Sequence, residues 1–206
     1  MLDNKGFDIW AEEYDEFVDK NSSGYPFEGY YQLLNRIYDV VDIKKNSKIL
    51  DIGFGTGVLT NRLYNDGACI YGIDFSQKMT DIAGEKMPGA RFIRWDFNLG
   101  LPPELDSEKF DYIISTYAIH HLDDYKKVQF IKKLKKSLAE KGKIVIGDIA
   151  FGNRQQLESC RNKNKDIWDK DEIYLVSEEI TEALAKEGIN SEYIQISSCA
   201  GMLEIL

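Results

Sequence analysis

Four short stretches carry residues whose types and spacing could do chemistry, and the most informative is ILDIGFGTG, Ile49 to Gly57. An apolar run containing Asp51 gives way to Gly53, Gly55 and Gly57 at alternate positions, followed by a helical pattern. Glycines permit a tight turn with positive φ and let a ligand approach the backbone, while the next helix offers free N–H groups and its positive dipole end. A carboxylate or a set of hydroxyls suits such a place. The dinucleotide fingerprint GxGxxG/A needs a small residue at its sixth position, whereas GFGTGV has Gly at the fifth and Val58 at the sixth. Asp51, two residues ahead of the first glycine, would repel pyrophosphate but attract an ammonium group, directly or through water.

The second stretch is GIDFS, with Asp74 seventeen residues beyond Gly57. A carboxylate at the end of the second strand of such a unit can accept hydrogen bonds from vicinal ribose hydroxyls. The third is Asp96–Phe97 after RFIRW, an acid and an aromatic suited to an adenine amino group and ring. The fourth, FDYIISTYAIHHL, is a strand ending in Ser115 and Thr116, then a turn bearing Tyr117, His120 and His121. Ligands of open α/β sheets bind beyond the carboxyl ends of the strands, where all four stretches fall.

The elements that must hold these residues are legible as pattern. KILDI, CIYGI, RFIRW, FDYIIST and KIVIGDI alternate with helical segments, including one from Ser76 and one from about Tyr125 to Leu138. Such alternation predicts βαβ units and a mostly parallel sheet. Ahead of them, Phe7, Trp10, Ala11, Tyr14, Phe17 and Val18 share a helical face, and a second helix over 27–41 carries Tyr30, Tyr31, Leu34, Ile37, Tyr38 and Val41. Ser177 to Glu187 reads as a late helix with Ser177 as N-cap and Gly188 as stop, and EYIQIS and GMLEIL read as two closing strands.

The 206 residues suffice for one domain, 1–206, divisible into a helical segment 1–44 and a core 45–206. A net charge of −9 disfavours nucleic acid and anionic membrane as partners. Three cysteines without a CxxC pair fit a reducing cytoplasm better than a disulfide framework, and Cys69 reads as a small strand hydrophobe. No run of apolar residues is long enough for a membrane span. The eight lysines between Lys126 and Lys143 read as solvated faces of a crossover helix whose buried stripe is Val128, Ile131, Leu134 and Leu138. Two histidines alone are thin metal evidence, so no metal is expected.

With these motifs in this order the chain resembles the class I S-adenosylmethionine-dependent methyltransferases, and IWAEEYDEFV with YAIHHL resembles their YrrT-type group of small methyltransferases. The resemblance implies a Rossmann-like α/β fold with a seven-stranded sheet of order 3-2-1-4-5-7-6, its last strand antiparallel, helices on both faces and N-terminal helices over the cofactor. It implies S-adenosylmethionine as cofactor, with S-adenosylhomocysteine as product. Asp51, Gly53, Gly55 and Gly57 would hold the methionine moiety, Asp74 the ribose and Asp96 the adenine. Phe75, Met79, Phe97, Ser115 and Tyr14 complete the candidate cofactor contacts. The candidate catalytic residues are His121, Tyr117 and Tyr14, and a general base would be drawn from the histidines, an Asp or a Tyr. The resemblance implies that the HHL turn packs under the cofactor, and adjacent side chains seldom face one substrate together. The acceptor expected is a small molecule, bound by a monomer or homodimer, with specificity set between Phe151 and Tyr174. Two alternatives stand beside this reading: a protein that binds S-adenosylmethionine or S-adenosylhomocysteine without catalysis, and an NAD-dependent oxidoreductase.

Overall fold

A computed structural model of the chain describes residues 13–206. Trp10 and the first turns of the expected N-terminal helix lie outside the described residues. Within them that helix is α1, Tyr14–Asn21, followed by α2, Tyr30–Val40. The core then runs β1 (Lys48–Ile52), α3 (Val58–Asn65), β2 (Cys69–Asp74), α4 (Gln77–Lys86), β3 (Arg91–Arg94), β4 (Phe110–Thr116), α5 (Asp124–Lys136) and β5 (Leu138–Phe151). It closes with α6 (Arg154–Lys163), β6 (Leu175–Val176), α7 (Ser177–Lys186), β7 (Ser191–Gln195) and β8 (Ala200–Ile205).

The sheet order is β3-β2-β1-β4-β5-β8-β7. The first five of these strands are mutually parallel, and β8 runs antiparallel to both β5 and β7. This is the expected path; the one addition is the two-residue β6, which pairs with the far end of β5 off the main line. Side chains alternate between two apolar layers. Ile49, Ile114 and Val145 face the layer that includes α2 and α3, while Leu50, Ile113 and Ile146 face the layer of α5 and α7. Both faces of the sheet are therefore covered, as parallel strands require.

Several local expectations are corrected. In α2 the buried face is Tyr30, Leu33, Leu34 and Ile37, with Tyr31 turned outward. That helix lies so close to the sheet that a Cβ on Gly147 would stand 2.5 Å from Ile37 Cδ1. The α5 helix ends at Lys136, and Leu138 already pairs with Phe110 across a register shift, so β5 begins before Lys143. Lys127 is not on a solvated face: it is fully buried, and its Nζ donates to Asp124 Oδ1 at 2.9 Å and to Ile173 O at 2.5 Å, tying α5 to the chain ahead of β6. Ser177 is the first residue of α7, not its cap; Val176 holds that position without a side-chain bond, because the short β6 runs directly into the helix. Cys69 opens β2 at its exposed end and is not a core residue. Gly188 ends α7 as expected, at φ 71° with its N–H on Ala185 O.

Candidate functional site

The order of strands reverses between β1 and β4, and the carboxyl ends of β1, β2 and β4 converge there. A cleft opens at this point. Gly53 leaves β1 at φ 70° with its N–H on Ile73 O at 2.7 Å, and a Cβ there would meet Ala118 Cβ at 2.4 Å. Gly55, at φ 57°, has nothing within 4 Å of a would-be Cβ, so its flank faces open space. The backbone here is a cradle that side chains would fill. Asp74, 4% exposed, fixes it from the second strand: Oδ2 accepts the Gly55 N–H and Oδ1 the Ser76 N–H, both at 2.9 Å. Ser76 then caps α4 by accepting the Met79 N–H at 3.1 Å.

Of the sequence-derived contacts, Gly53, Gly55, Asp74, Phe75, Met79, Phe97, Tyr14, Tyr117 and His121 line the cleft. Four do not. Gly57 closes the turn below it, with its N–H on Phe54 O at 2.9 Å. Ser115 spends its hydroxyl on Ile52 O at 2.9 Å, joining β4 to β1. Asp96 is exposed and caps the turn Phe97–Leu99 by accepting from Asn98 N and Nδ2, so Phe97 reaches the cleft without it. Asp51 is buried beneath the turn, with Oδ2 accepting from the Thr60 hydroxyl. Its Oδ1 is buried with no hydrogen-bond partner among the described residues, and burial pushes the carboxyl up to about 7. Residues that motif reading passed over are Tyr30, Phe54, Thr56, Thr60 and Thr116. The threonines sit inside or next to the quoted motifs, where their hydroxyls were the available signal.

Helix α1 lies across the cleft. Asp15 accepts from the Thr56 hydroxyl at 2.6 Å and pairs with Lys86 at 3.6 Å, and Lys86 Nζ donates to Thr56 O at 2.9 Å. These bonds place Tyr14 over the glycine turn.

A second cavity of about 350 Å³ adjoins the first, and Tyr14, Tyr117 and His121 line both. Its other walls come from α1 and the loop after it, from Ile149, and from Ile167, Asp169, Glu172 and Tyr174. Tyr117 holds φ 50°, a left-handed conformation that is costly for a residue with a side chain, and so turns its ring away from the strand line onto Tyr30 and Phe27. Its buried hydroxyl has no partner among the described residues. Burial raises the phenol pKa of both Tyr117 and Tyr14, so both stay protonated at neutral pH and act as donors. His121 moves the other way: burial, then the neighbouring His120, lower it to about 4, leaving a neutral imidazole. His120 also lines the second cavity, contrary to the expectation for adjacent residues. Both sit in the 3₁₀ turn Ile119–His121, where successive side chains are about 120° apart, not 180° as in a strand.

Among the described residues no helix is long and apolar enough to cross a membrane. A family profile described as "Methyltransferase domain" matches residues 49–142, the stretch from β1 to the start of β5. An uncharacterized methyltransferase of Geobacillus thermodenitrificans is 34% identical over 96% of this chain and 94% of its own. Among solved structures, the DhpI complex with S-adenosylhomocysteine superposes with a TM-score of 0.74 at 17% identity, covering 98% of this chain and 94% of that one. Magnesium protoporphyrin IX methyltransferase of Synechocystis PCC 6803, with bound S-adenosylhomocysteine, gives 0.70 at 17% identity over 98% and 99% of the two chains. Full-length relationship to a methyltransferase at this identity, joined to the shared sheet order and the glycine turn at its switch point, makes the chain a member of the class I S-adenosylmethionine-dependent methyltransferases.

Proposed function

We propose that the protein transfers a methyl group from S-adenosylmethionine, held in the glycine-turn cleft, to a small-molecule acceptor in the adjoining cavity. The observation that carries this reading is the sharing of Tyr14, Tyr117 and His121 by the two cavities, since a methyl group has to cross where donor and acceptor sites meet. The cleft suits the cofactor on its own chemistry. Gly55 leaves its flank open, Asp74 stands at the end of the second strand beside that turn, where a carboxylate meets ribose hydroxyls, and Asp51 Oδ1 is an orphaned acceptor for an ammonium group, directly or through water. Phe75, Met79 and Phe97 supply apolar wall for a purine ring. The volume of the second cavity lies at the lower end of the range for small-molecule sites.

The cofactor, when bound, supplies an electrophilic sulfonium methyl. What remains for the chain is to hold the acceptor in line and keep water out, which orientation and enclosure accomplish without a nucleophilic side chain. Asp15 keeps α1 and Tyr14 over the turn. Tyr14 and Tyr117 orient the acceptor by donating hydrogen bonds. His121, neutral at physiological pH, stands where the two cavities meet, beside the path of the methyl group.

Thermal-shift titration tests the donor half. A ligand present at about 100 times its dissociation constant adds about 2.7 kcal/mol of stability. S-adenosylmethionine and S-adenosylhomocysteine should each raise the melting temperature while NAD leaves it unchanged. Methyl-labelled cofactor with a panel of small hydroxyl, amine and thiol acceptors then tests the transfer. Stabilisation without turnover on any acceptor would turn the reading into a non-catalytic binder; stabilisation by NAD alone would overturn it.

A further inference from the structure

His120, His121 and Glu172 each place one metal-ligating atom within 4.8 Å of the others, on the wall of the second cavity. His120 Nδ1 is 2.6 Å from Asp148 Oδ1. That carboxylate is fully buried and also accepts the backbone N–H of His120 at 3.1 Å and of Ile149 at 2.7 Å. An ionised carboxylate only accepts, so Nδ1 must carry the proton it donates, and Nε2 of a neutral ring is left as a lone pair. This lone pair faces Glu172 Oε1 at 3.5 Å, while Glu172 Oε2 accepts from the Tyr174 hydroxyl at 2.8 Å. Two acceptors so placed in a poorly solvated wall repel unless a cation lies between them.

That cation is a proton on Nε2, which Asp148 and Glu172 favour against the effect of burial, or a metal ion. A charge-assisted hydrogen bond closes to about 2.7–2.9 Å. Two ligands of one tetrahedral ion, bonded at about 2.0–2.2 Å, stand about 3.4 Å apart. The observed separation of 3.5 Å is that of two ligands of one ion and equally that of an ion pair, so the donor set and its orienting carboxylate carry the assignment. Two imidazoles and one carboxylate are a donor set that suits zinc-type ions, and a carboxylate behind one ligating histidine is the usual means of fixing its ring and tautomer.

We propose that His120 Nε2, His121 and Glu172 form a site for one divalent ion of the zinc type, with Asp148 as the orienting carboxylate and the fourth position open to the cavity. Reading only two histidines, the sequence argued against a metal; the third ligand arrives from a segment some fifty residues further on. The open position would take an oxygen, nitrogen or sulfur of the acceptor. That role rests on the methyltransferase reading, whereas ion binding itself does not.

The test uses tag-free full-length protein stripped with a chelator and titrated with Zn²⁺ against a colorimetric zinc indicator. One ion per chain should bind. Glu172→Gln and His121→Ala should each weaken binding at least about tenfold, and Asp148→Asn by roughly ten- to a hundredfold, as loss of an orienting partner does. Cys160→Ser should leave it unchanged. Glu172 is half-buried, so its variant keeps the test open if a histidine variant fails to fold. Absence of stoichiometric binding, or binding indifferent to both ligand substitutions, would overturn the site and leave His120 as an imidazolium between Asp148 and Glu172. Thermal-shift titration of the stripped protein with S-adenosylmethionine separates the two proposals: stabilisation without zinc binding removes only the metal site, and zinc binding without stabilisation removes only the cofactor reading.

Discussion

The glycine-turn cleft and the cavity beside it are made of different material. Around the cleft the shape is set by backbone: Gly53 and Gly55 at positive φ, N–H groups taken up by Asp74, and a helix starting directly after the turn. Its polar groups arrive in chain order at the ends of adjacent parallel strands. The second cavity is set by side chains from three stretches far apart in sequence: α1 with the Tyr25–Phe27 loop after it, the His120–His121 turn, and Ile167–Tyr174. A backbone-built site tolerates little change in shape and much in its surroundings. A side-chain-built site is the reverse, so the invariant ligand belongs to the first and the variable one to the second.

The sharpest way to break that contrast is Gly53→Ala. The new methyl meets Ala118 Cβ at 2.4 Å and forces a residue with a side chain to φ 70°. Steric strain and the left-handed penalty together should lower stability by about 3 kcal/mol and abolish measurable cofactor binding. Gly188→Ala is the control: its φ is 71° but no atom lies within 4 Å, so only the backbone penalty of about 1–2 kcal/mol remains. Urea denaturation and cofactor titration read both. Equal losses at the two glycines would mean that the turn has no special packing. Next in size, Asp74→Asn should weaken S-adenosylmethionine binding by about 1.5–3 kcal/mol in calorimetry, since charged acceptors for ribose and for the Gly55 and Ser76 N–H groups are replaced. Undiminished affinity would remove the ribose assignment.

The same contrast explains what could be read without coordinates. Asp74 and the glycines were legible because a positive-φ turn and a strand-end acid are demanded by local covalent geometry, and the βαβ order follows from periodicity. Asp96 and Ser115 lie outside the lining by a side-chain rotation each: a short acid or hydroxyl at a strand end can equally well turn to a backbone partner, as Asp96 does to Asn98 N and Ser115 to Ile52 O. Lys127 shows the limit of helical periodicity, since nothing in a lysine-rich helix marks the one that is fully buried with its ammonium on a distant carbonyl. The segment from Phe151 to Tyr174 could be singled out as the place for specificity, but not its geometry, because Glu172 meets His120 only through the packing of β5, β6 and α5.

A smaller effect sharpens the polar end of the cleft. Asp51 carries a proton up to about pH 7 in the folded chain, whereas the unfolded carboxyl loses it near 3.8. Between those values the folded state holds the extra proton, so this group's contribution to stability falls as pH rises and is lost above 7. Ionisation also creates the anion that an ammonium group prefers. Affinity for S-adenosylmethionine should accordingly rise about tenfold, or about 1.4 kcal/mol, as pH climbs through 7, and Asp51→Asn should flatten the profile. Calorimetric titration at several pH values checks it. A profile that stays steep in the variant would assign the proton to another group.

The smallest expected effect on the cofactor comes from the cavity side. Ile167 lines the second cavity yet is 62% exposed, so it contributes wall and little core. Truncation in Ile167→Ala removes three carbons from that wall, and partial burial of so much apolar surface by a bound acceptor is worth about 1 kcal/mol. The KM for the best acceptor should therefore rise about fivefold, while S-adenosylmethionine affinity stays within about twofold and the melting temperature is unmoved. The split between the two constants is the informative part. If cofactor affinity fell along with the acceptor's, the two cavities would be one continuous site walled by the same residues, and the division between a backbone-built donor end and a side-chain-built acceptor end would not hold. If neither moved, the acceptor would lie nearer Tyr25 and Tyr174, which also line the cavity.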